Sequence, residues 1–309
     1  MKKALRKLIP ALVMLLIAAA FVGTSTYAWF SMNRTVTVNG MSVDTAVSDQ
    51  LTIAAENAEA NYGTSLTQTR SAHLRPVSSV NGVNFFYAPS DDVRGNGAAA
   101  TDVTYVAYSE ATNQAPDSAS GKSFYDAAFN TAYGVGSPTD STVLYGYVDY
   151  SFYIKATNVT GSSEDLKLTT LNLLYNGGAV SEKAWRVAVF AQTANANTAV
   201  TTAPTTSDRK ALLALNGATN FTSGKAVAAA SGENKLGDVS YTSAGCVVDS
   251  IAGGATEYNK VTVRLWLEGE DNTCTNATFA TLTSAYTLTL GFAIGGSETA
   301  VTVIGSTAA

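Results

Sequence analysis

The stretch Leu144-Tyr145-Gly146-Tyr147-Val148-Asp149-Tyr150-Ser151-Phe152-Tyr153-Ile154 alternates along its whole length. On a pleated strand successive side chains point to opposite faces. Leu144, Gly146, Val148, Tyr150, Phe152 and Ile154 therefore share one face, and Tyr145, Tyr147, Asp149, Ser151 and Tyr153 share the other. Tyr, Phe, Ile and Val suit a pleated surface, and the period of two excludes an amphipathic helix. The same period recurs downstream. Val261, Val263, Leu265 and Leu267 alternate with Thr262, Arg264 and Trp266, and Tyr286, Leu288, Leu290, Phe292 and Ile294 alternate with Thr287, Thr289, Gly291 and Ala293. Shorter runs predict strands over 35–43, 51–55, 103–108, 166–174, 185–191 and 300–304.

Gly, Ser, Asn and Thr fill the spaces between these runs. Two stretches read as short helices: Ser207 as an N-cap leading to Leu215, closed by Asn216-Gly217, and residues 123–133. About ten strands with few helices predict an all-β, antiparallel, jelly-roll-like β-sandwich with long loops. The longest break, near 192–237, is read as an insertion in one sandwich over 29–309; a boundary between two β-domains is the other reading.

Composition narrows the function. The chain has 309 residues, of which only 14% are charged, against roughly 25% in ordinary domains. A groove that tracks phosphates needs clustered Lys and Arg, so no nucleic-acid partner is expected. The net charge is −5, and the one histidine, His73, reads as a surface residue. One His and two Cys cannot build the common zinc sites or a Cys-His pair elsewhere. No GxSxG elbow, P-loop or HExxH helix is present. The expectation is a protein that is not an enzyme, with no catalytic, cofactor-binding or metal-ligating residue; paired carboxylates of a hydrolase rank third among the readings.

The N-terminus reads as an export signal. Lys2, Lys3, Arg6 and Lys7 precede an uncharged run over 8–22, followed by small residues at Thr26 and Ala28. That pattern predicts a signal peptide over 1–28 with cleavage before Trp29; an uncleaved membrane anchor is the rival. Membrane contact is expected only through this segment before cleavage. No sorting motif or lipid-accepting cysteine follows, so the product is read as secreted: extracellular, on the cell surface or in a biofilm matrix.

Thr26-Tyr27-Ala28-Trp29-Phe30-Ser31, then Val36-Thr37-Val38-Asn39-Gly40-Met41, resembles the start of the TasA and camelysin-type secreted proteins of Gram-positive bacteria. The resemblance is confined to the signal segment and first mature strand, and Met32 stands where an acidic residue would be expected. It implies a jelly-roll subunit that assembles into extracellular fibres of a biofilm matrix or surface layer. Trp29 and Phe30 are a liability if left in water, and 35–43 reads as an edge strand open to pairing with another copy. Trp29, Phe30, Val36, Val38 and Met41 are therefore the candidate assembly interface, with a homo-polymer as the product.

Three further features carry open readings. Cys246 and Cys274 are either a disulfide, worth about 3–4 kcal/mol by loop entropy, or two reduced buried thiols. Glu268-Gly269-Glu270-Asp271-Asn272 is either an oxygen-rich calcium loop or a solvated acidic turn. Tyr145, Tyr147 and Tyr153 are a sugar-stacking platform, a subunit interface or a face covered by another layer. The platform reading makes the alternative function a carbohydrate-binding or adhesive module whose partner is a matrix or cell-wall polysaccharide.

Overall fold

A computed structural model describes residues 36–44, 51–68, 73–87, 106–108, 144–175, 178–179, 184–214, 247–269, 286–295 and 302–304. Their side chains are described except at 36–44, 73, 172, 174–175, 178–179, 214, 286–287 and 302–304.

The long alternating run forms β7 (Leu144–Tyr145) and β8 (Tyr147–Thr157). Gly146 separates them because the chain is crowded there: a Cβ on it would sit 2.9 Å from Val77 Cγ1. β8 pairs antiparallel with β14 (Thr256–Leu267) over eleven registered residues, from Tyr147↔Trp266 to Thr157↔Thr256. β14 pairs on its other side with β11 (Trp185–Ala194), β11 with β12 (Arg209–Ala214), and β8 with β2 (Leu51–Ala54). These give a five-stranded sheet in the order β12-β11-β14-β8-β2.

The second sheet is built on β9 (Glu164–Tyr175), β15 (Tyr286–Ile294) and β1 (Val36–Asp44). β9 and β15 are antiparallel, whereas β1 runs parallel to β15. The outer side of β1 takes β4 (His73–Leu74) at Val36–Thr37 and β3 (Ser65–Gln68) at Met41–Asp44. The outer side of β9 takes β13 (Val247–Ile251), β16 (Thr302–Ile304) and β10 (Gly178–Ala179). With β7 beside β4, nine described strands join this sheet. A further pair, β5 (Phe85–Tyr87) and β6 (Val106–Tyr108), stands apart.

The two sheets meet through one apolar core. Val148, Tyr150, Phe152 and Ile154 of β8 are buried alongside Val261, Val263 and Leu265 of β14. Leu288, Leu290 and Phe292 of β15 and Leu166, Leu168, Leu171 and Leu173 of β9 complete the same cluster. Phe152 and Phe292 touch edge to face across it, with ring centroids 5.8 Å apart. The architecture is all-β and mainly antiparallel, as the alternation requires.

Two local expectations meet different outcomes. Residues 207–214 do not form the expected helix, and Leu215 lies outside the described residues. Thr206–Asp208 is a short 3-10 turn, where the Thr205 N–H and hydroxyl both donate to Asp208 Oδ2 at 2.8 Å, and the chain then enters β12. Ala211, Leu212 and Leu213 are all buried because both faces of the sheet are covered, so pairing with β11 outweighs the local helix signal. The stretch near 192–237 is accordingly in part woven into the sheet. The helix expected over 123–133 and the signal segment over 1–28 lie outside the described residues.

Candidate functional site: the covered face and the inserted strand

The outer face of the five-stranded sheet is buried. Tyr145, Tyr147 and Tyr153 are 7%, 6% and 6% exposed, so they offer no sugar platform; of the three readings, the covered face holds. Two excursions of the chain cover it. Residues 75–87 lie over one end, fixed by backbone bonds from the Arg75 N–H to the Tyr145 carbonyl and from the Val77 N–H to the Leu267 carbonyl. Phe85 stacks on Tyr147 at 4.7 Å, and Tyr108 of β6 meets Tyr147 edge to face at 5.7 Å. Residues 195–205 cover the other end: the Val200 N–H donates to the Tyr153 hydroxyl, and Lys260 Nζ donates to the Val200 carbonyl, both at 2.9 Å.

Beneath the first cover lies a buried ion pair. Arg264 donates through Nε and Nη2 to the two carboxylate oxygens of Asp149, each at 2.7 Å. A third donor, Nη1, reaches the Gly82 carbonyl at 3.0 Å. The guanidinium lies 4.0 Å from the Tyr147 ring centroid, with Phe190 and Phe85 at 5.5 and 5.8 Å. Arg is the cation suited to such a site, because its planar fork matches a carboxylate and its faces stack on rings. Gly82 is required where it stands: its φ is +74°, and a Cβ would come within 2.6 Å of the Ala188 Cβ.

Glu268 works in the same layer. Its Oε1 accepts from the Ser78 hydroxyl at 2.5 Å, and its Oε2 accepts from the Ser79 N–H and Trp266 Nε1 at 3.2 Å. It is fully buried, so the first carboxylate of this acidic run is a structural anchor for 75–87 and does not face solvent. Glu270, Asp271 and Asn272 lie outside the described residues. No cluster of three His, Cys, Asp or Glu side chains arranged to hold a metal occurs among the described residues. Nor is any helix among them long and apolar enough to cross a membrane.

The assembly residues divide. Trp29 and Phe30 lie outside the described residues, as do Cys246 and Cys274. Val36, Val38 and Met41 belong to β1, and β1 is not an edge strand. It has β15 on one side and β3 and β4 on the other, and Met41–Val43 are paired on both sides within the chain. Its register with β15 slips between Val38 and Met41, which places Asn39-Gly40 in a bulge. Along Met41–Val43 both sides of β1 are taken by strands of its own chain, so the strand is not a free edge there.

Other edges are also guarded. β12, the last strand of the five-stranded sheet, slips register between Ala211 and Arg209, so Lys210 sits in a bulge and is exposed. Bulges and Lys on an edge discourage pairing with another chain. At the opposite end, the turn after β8 and the turn after β13 are tied together. Asn158 is fully buried and donates from Nδ2 to the Ser162 and Ile251 carbonyls at 2.8 and 2.9 Å. Asn158 is therefore a turn anchor.

One exposed constellation remains. Lys155 and the Tyr258 hydroxyl both contact the Glu59 carboxylate, and Tyr62 and Tyr258 meet edge to face at 6.0 Å. The hydrogen bond from Lys155 holds the Glu59 carboxyl below its usual range, and the same bond pushes Lys155 up. Burial pushes both phenols up, Tyr62 strongly. Glu59 is tied back to residues 195–205 by its own N–H, which donates to the Asn197 side chain at 2.8 Å. The group pins the loop over residues 195–205.

Fold and site together define an all-β protein with two covered faces and an internally held first strand. No family model, curated protein or solved structure matches the chain.

Proposed function

We propose that this chain is an exported structural subunit, without enzymatic activity, that self-associates outside the cell by exchanging β1 between copies. The supporting observation is the position of β1. It fills a slot between β15 and β3/β4, and its partner β15 lies far from it in sequence. A slot that fits this strand in its own chain fits the identical strand of a second copy with the same contacts, which makes strand exchange a low-cost route to assembly. The guarded edge at β12 favours exchange over simple edge pairing. Export rests on residues 1–28, and Trp29-Phe30 would travel with the exchanged strand. The adhesive alternative loses its support with the burial of Tyr145, Tyr147 and Tyr153.

A reversible lock tests this. Ser42 and Thr289 are registered partners across β1 and β15. A chain beginning at Trp29, carrying Ser42→Cys and Thr289→Cys with Cys246→Ser and Cys274→Ser, is concentrated and viewed by negative-stain electron microscopy. Fibres in reductant and monodisperse particles after intramolecular oxidation are expected. Fibres formed equally well by the locked chain, or no fibres in either state, overturn the reading.

A further inference from the structure

The outer side of β9 is shared by three short segments. β13 occupies Glu164–Lys167, β16 occupies Thr170–Asn172, and β10 occupies Leu174–Tyr175. The flanking two are tethered on the spot. β10 follows β9 after two residues, and β13 is pinned to the β8–β9 turn through the bond from Asn158 to the Ile251 carbonyl. β16 differs: among the described residues its pairing is with β9 alone, over three residues.

The gap between β13 and β10 is too narrow for the edge of another sheet, because the flanking strands stand in its way. A single extended segment fits, and β16 shows the parallel register such a segment adopts. The connection from β15 begins at Gly295, whose φ is +68°, followed in sequence by Gly296-Ser297. A glycine at positive φ is a place where the chain direction can be reset at little cost.

We infer that β16 is an exchangeable strand: the gap on β9 takes Thr302–Ile304 from its own chain when copies are dilute and from a second copy when they are crowded. The occupant is this same segment, since its contacts are identical in both arrangements. A connection of this length between Gly295 and Thr302 corresponds to an effective concentration on the order of mM. Exchange therefore becomes substantial only when neighbours are held at about that density, as in a β1-linked assembly. The biological use of β16 exchange rests on that assembly reading; the exchange itself does not.

Thr302 and Thr170 are registered partners. The full chain is prepared with Thr302→Cys and Thr170→Cys in a Cys246→Ser, Cys274→Ser background. It is oxidised across a range from about μM to about mM and run on non-reducing gels. The expected result is an internally bridged monomer when dilute and a ladder of multimers when concentrated, with at least a tenfold rise in the multimer share. A bridged monomer at every concentration overturns the inference, as does failure to form any bridge. A parallel chain with Val303→Pro and the same cysteines should lose both products, because proline cannot keep its place in the ladder; retention of the ladder there overturns the inference too. The gel reads β16 alone and microscopy reads β1. Fibres without a ladder refute β16 exchange and leave β1 exchange standing; a ladder without fibres does the reverse.

Discussion

The two faces of β8 are both covered and differently built. One face, with Val148, Tyr150, Phe152 and Ile154, meets the facing sheet through apolar contact. The other, with Tyr147, Asp149, Ser151 and Tyr153, is covered by loops and carries directed polar bonds: Asp149 and Ser151 bond across to Arg264 and Thr262 of β14, and the loops bind through the Gly82 carbonyl to Arg264 and the Val200 N–H to Tyr153. Apolar packing is non-directional and scales with area, so it tolerates shifts of register or layer angle. Ion pairs and buried hydrogen bonds do not: an unmet partner in low dielectric costs its full desolvation. The first face supplies stability, and the second selects which segment covers the sheet and in what position.

The Asp149–Arg264 pair breaks this comparison most sharply. Asp149→Ala strands a guanidinium beneath Gly82 and should cost about 3–5 kcal/mol in urea unfolding. Phe152→Ala on the apolar face should cost a similar amount, about 3–5 kcal/mol, through the cavity it leaves. The two losses differ in whether they can be rescued. Asp149→Leu combined with Arg264→Met should return to within about 1–2 kcal/mol of the parent, because removing both partners removes the buried charge. If the double variant is as unstable as the single, the pair is worth more than its desolvation and the contrast between the faces is wrong.

Gly82 sharpens the same point at somewhat lower cost. Gly82→Ala meets both a left-handed backbone and the Ala188 Cβ at 2.6 Å. Strain and overpacking together should cost about 2–4 kcal/mol. Adding Ala188→Gly relieves the steric part and leaves the backbone part, so partial recovery in thermal unfolding is expected. Complete recovery would mean the positive φ carries no cost; none would mean the contact with the sheet is not what holds Gly82 in place.

The strands were legible because the alternation of β8, β14 and β15 is a local property of each run. What covered them was not. Tyr145, Tyr147 and Tyr153 on the polar-looking face fit a platform, an interface or a covered layer equally well, because the covering segment 75–87 carries little local pattern of its own. Asp149 and Arg264 each stand alone within an alternating strand, and a lone charge opposite aromatic residues on two such strands was the available signal of a buried pair. The Ala-Leu-Leu-Ala run of β12 fits a helix or a strand, and only its place beside β11 decides. The edge reading of β1 missed its partners for the same reason: β15 is distant in sequence, and pairing at that range leaves no mark on the strand itself.

The exposed pair of Glu59 and Lys155 is the mild counterpart of Asp149 and Arg264. Their side chains keep 51% and 26% exposure, so water and salt screen the attraction. The Glu59 carboxyl is held below its ordinary value of 4.5 by the hydrogen bond from Lys155. In acid the unfolded chain then binds more protons than the folded one, so this contribution is fully present above the ordinary value and is lost as pH falls through the folded value. Lys155 titrates the other way. The Glu59 bond raises it above 10.5, so its contribution is complete below that value and is lost as pH rises through the raised one. Between these limits the pair is intact. Lys155→Met should return the Glu59 midpoint toward its ordinary value in a carboxyl NMR titration, with little change in unfolding at neutral pH. High salt should erase the depression at Glu59 and leave the Asp149–Arg264 contribution nearly untouched, since burial shields that pair from ions. A Glu59 midpoint unmoved by Lys155→Met or by salt would show that the depression comes from the loop it pins, through the Tyr258 hydroxyl, and the exposed pair would then hold no electrostatic part of the contrast.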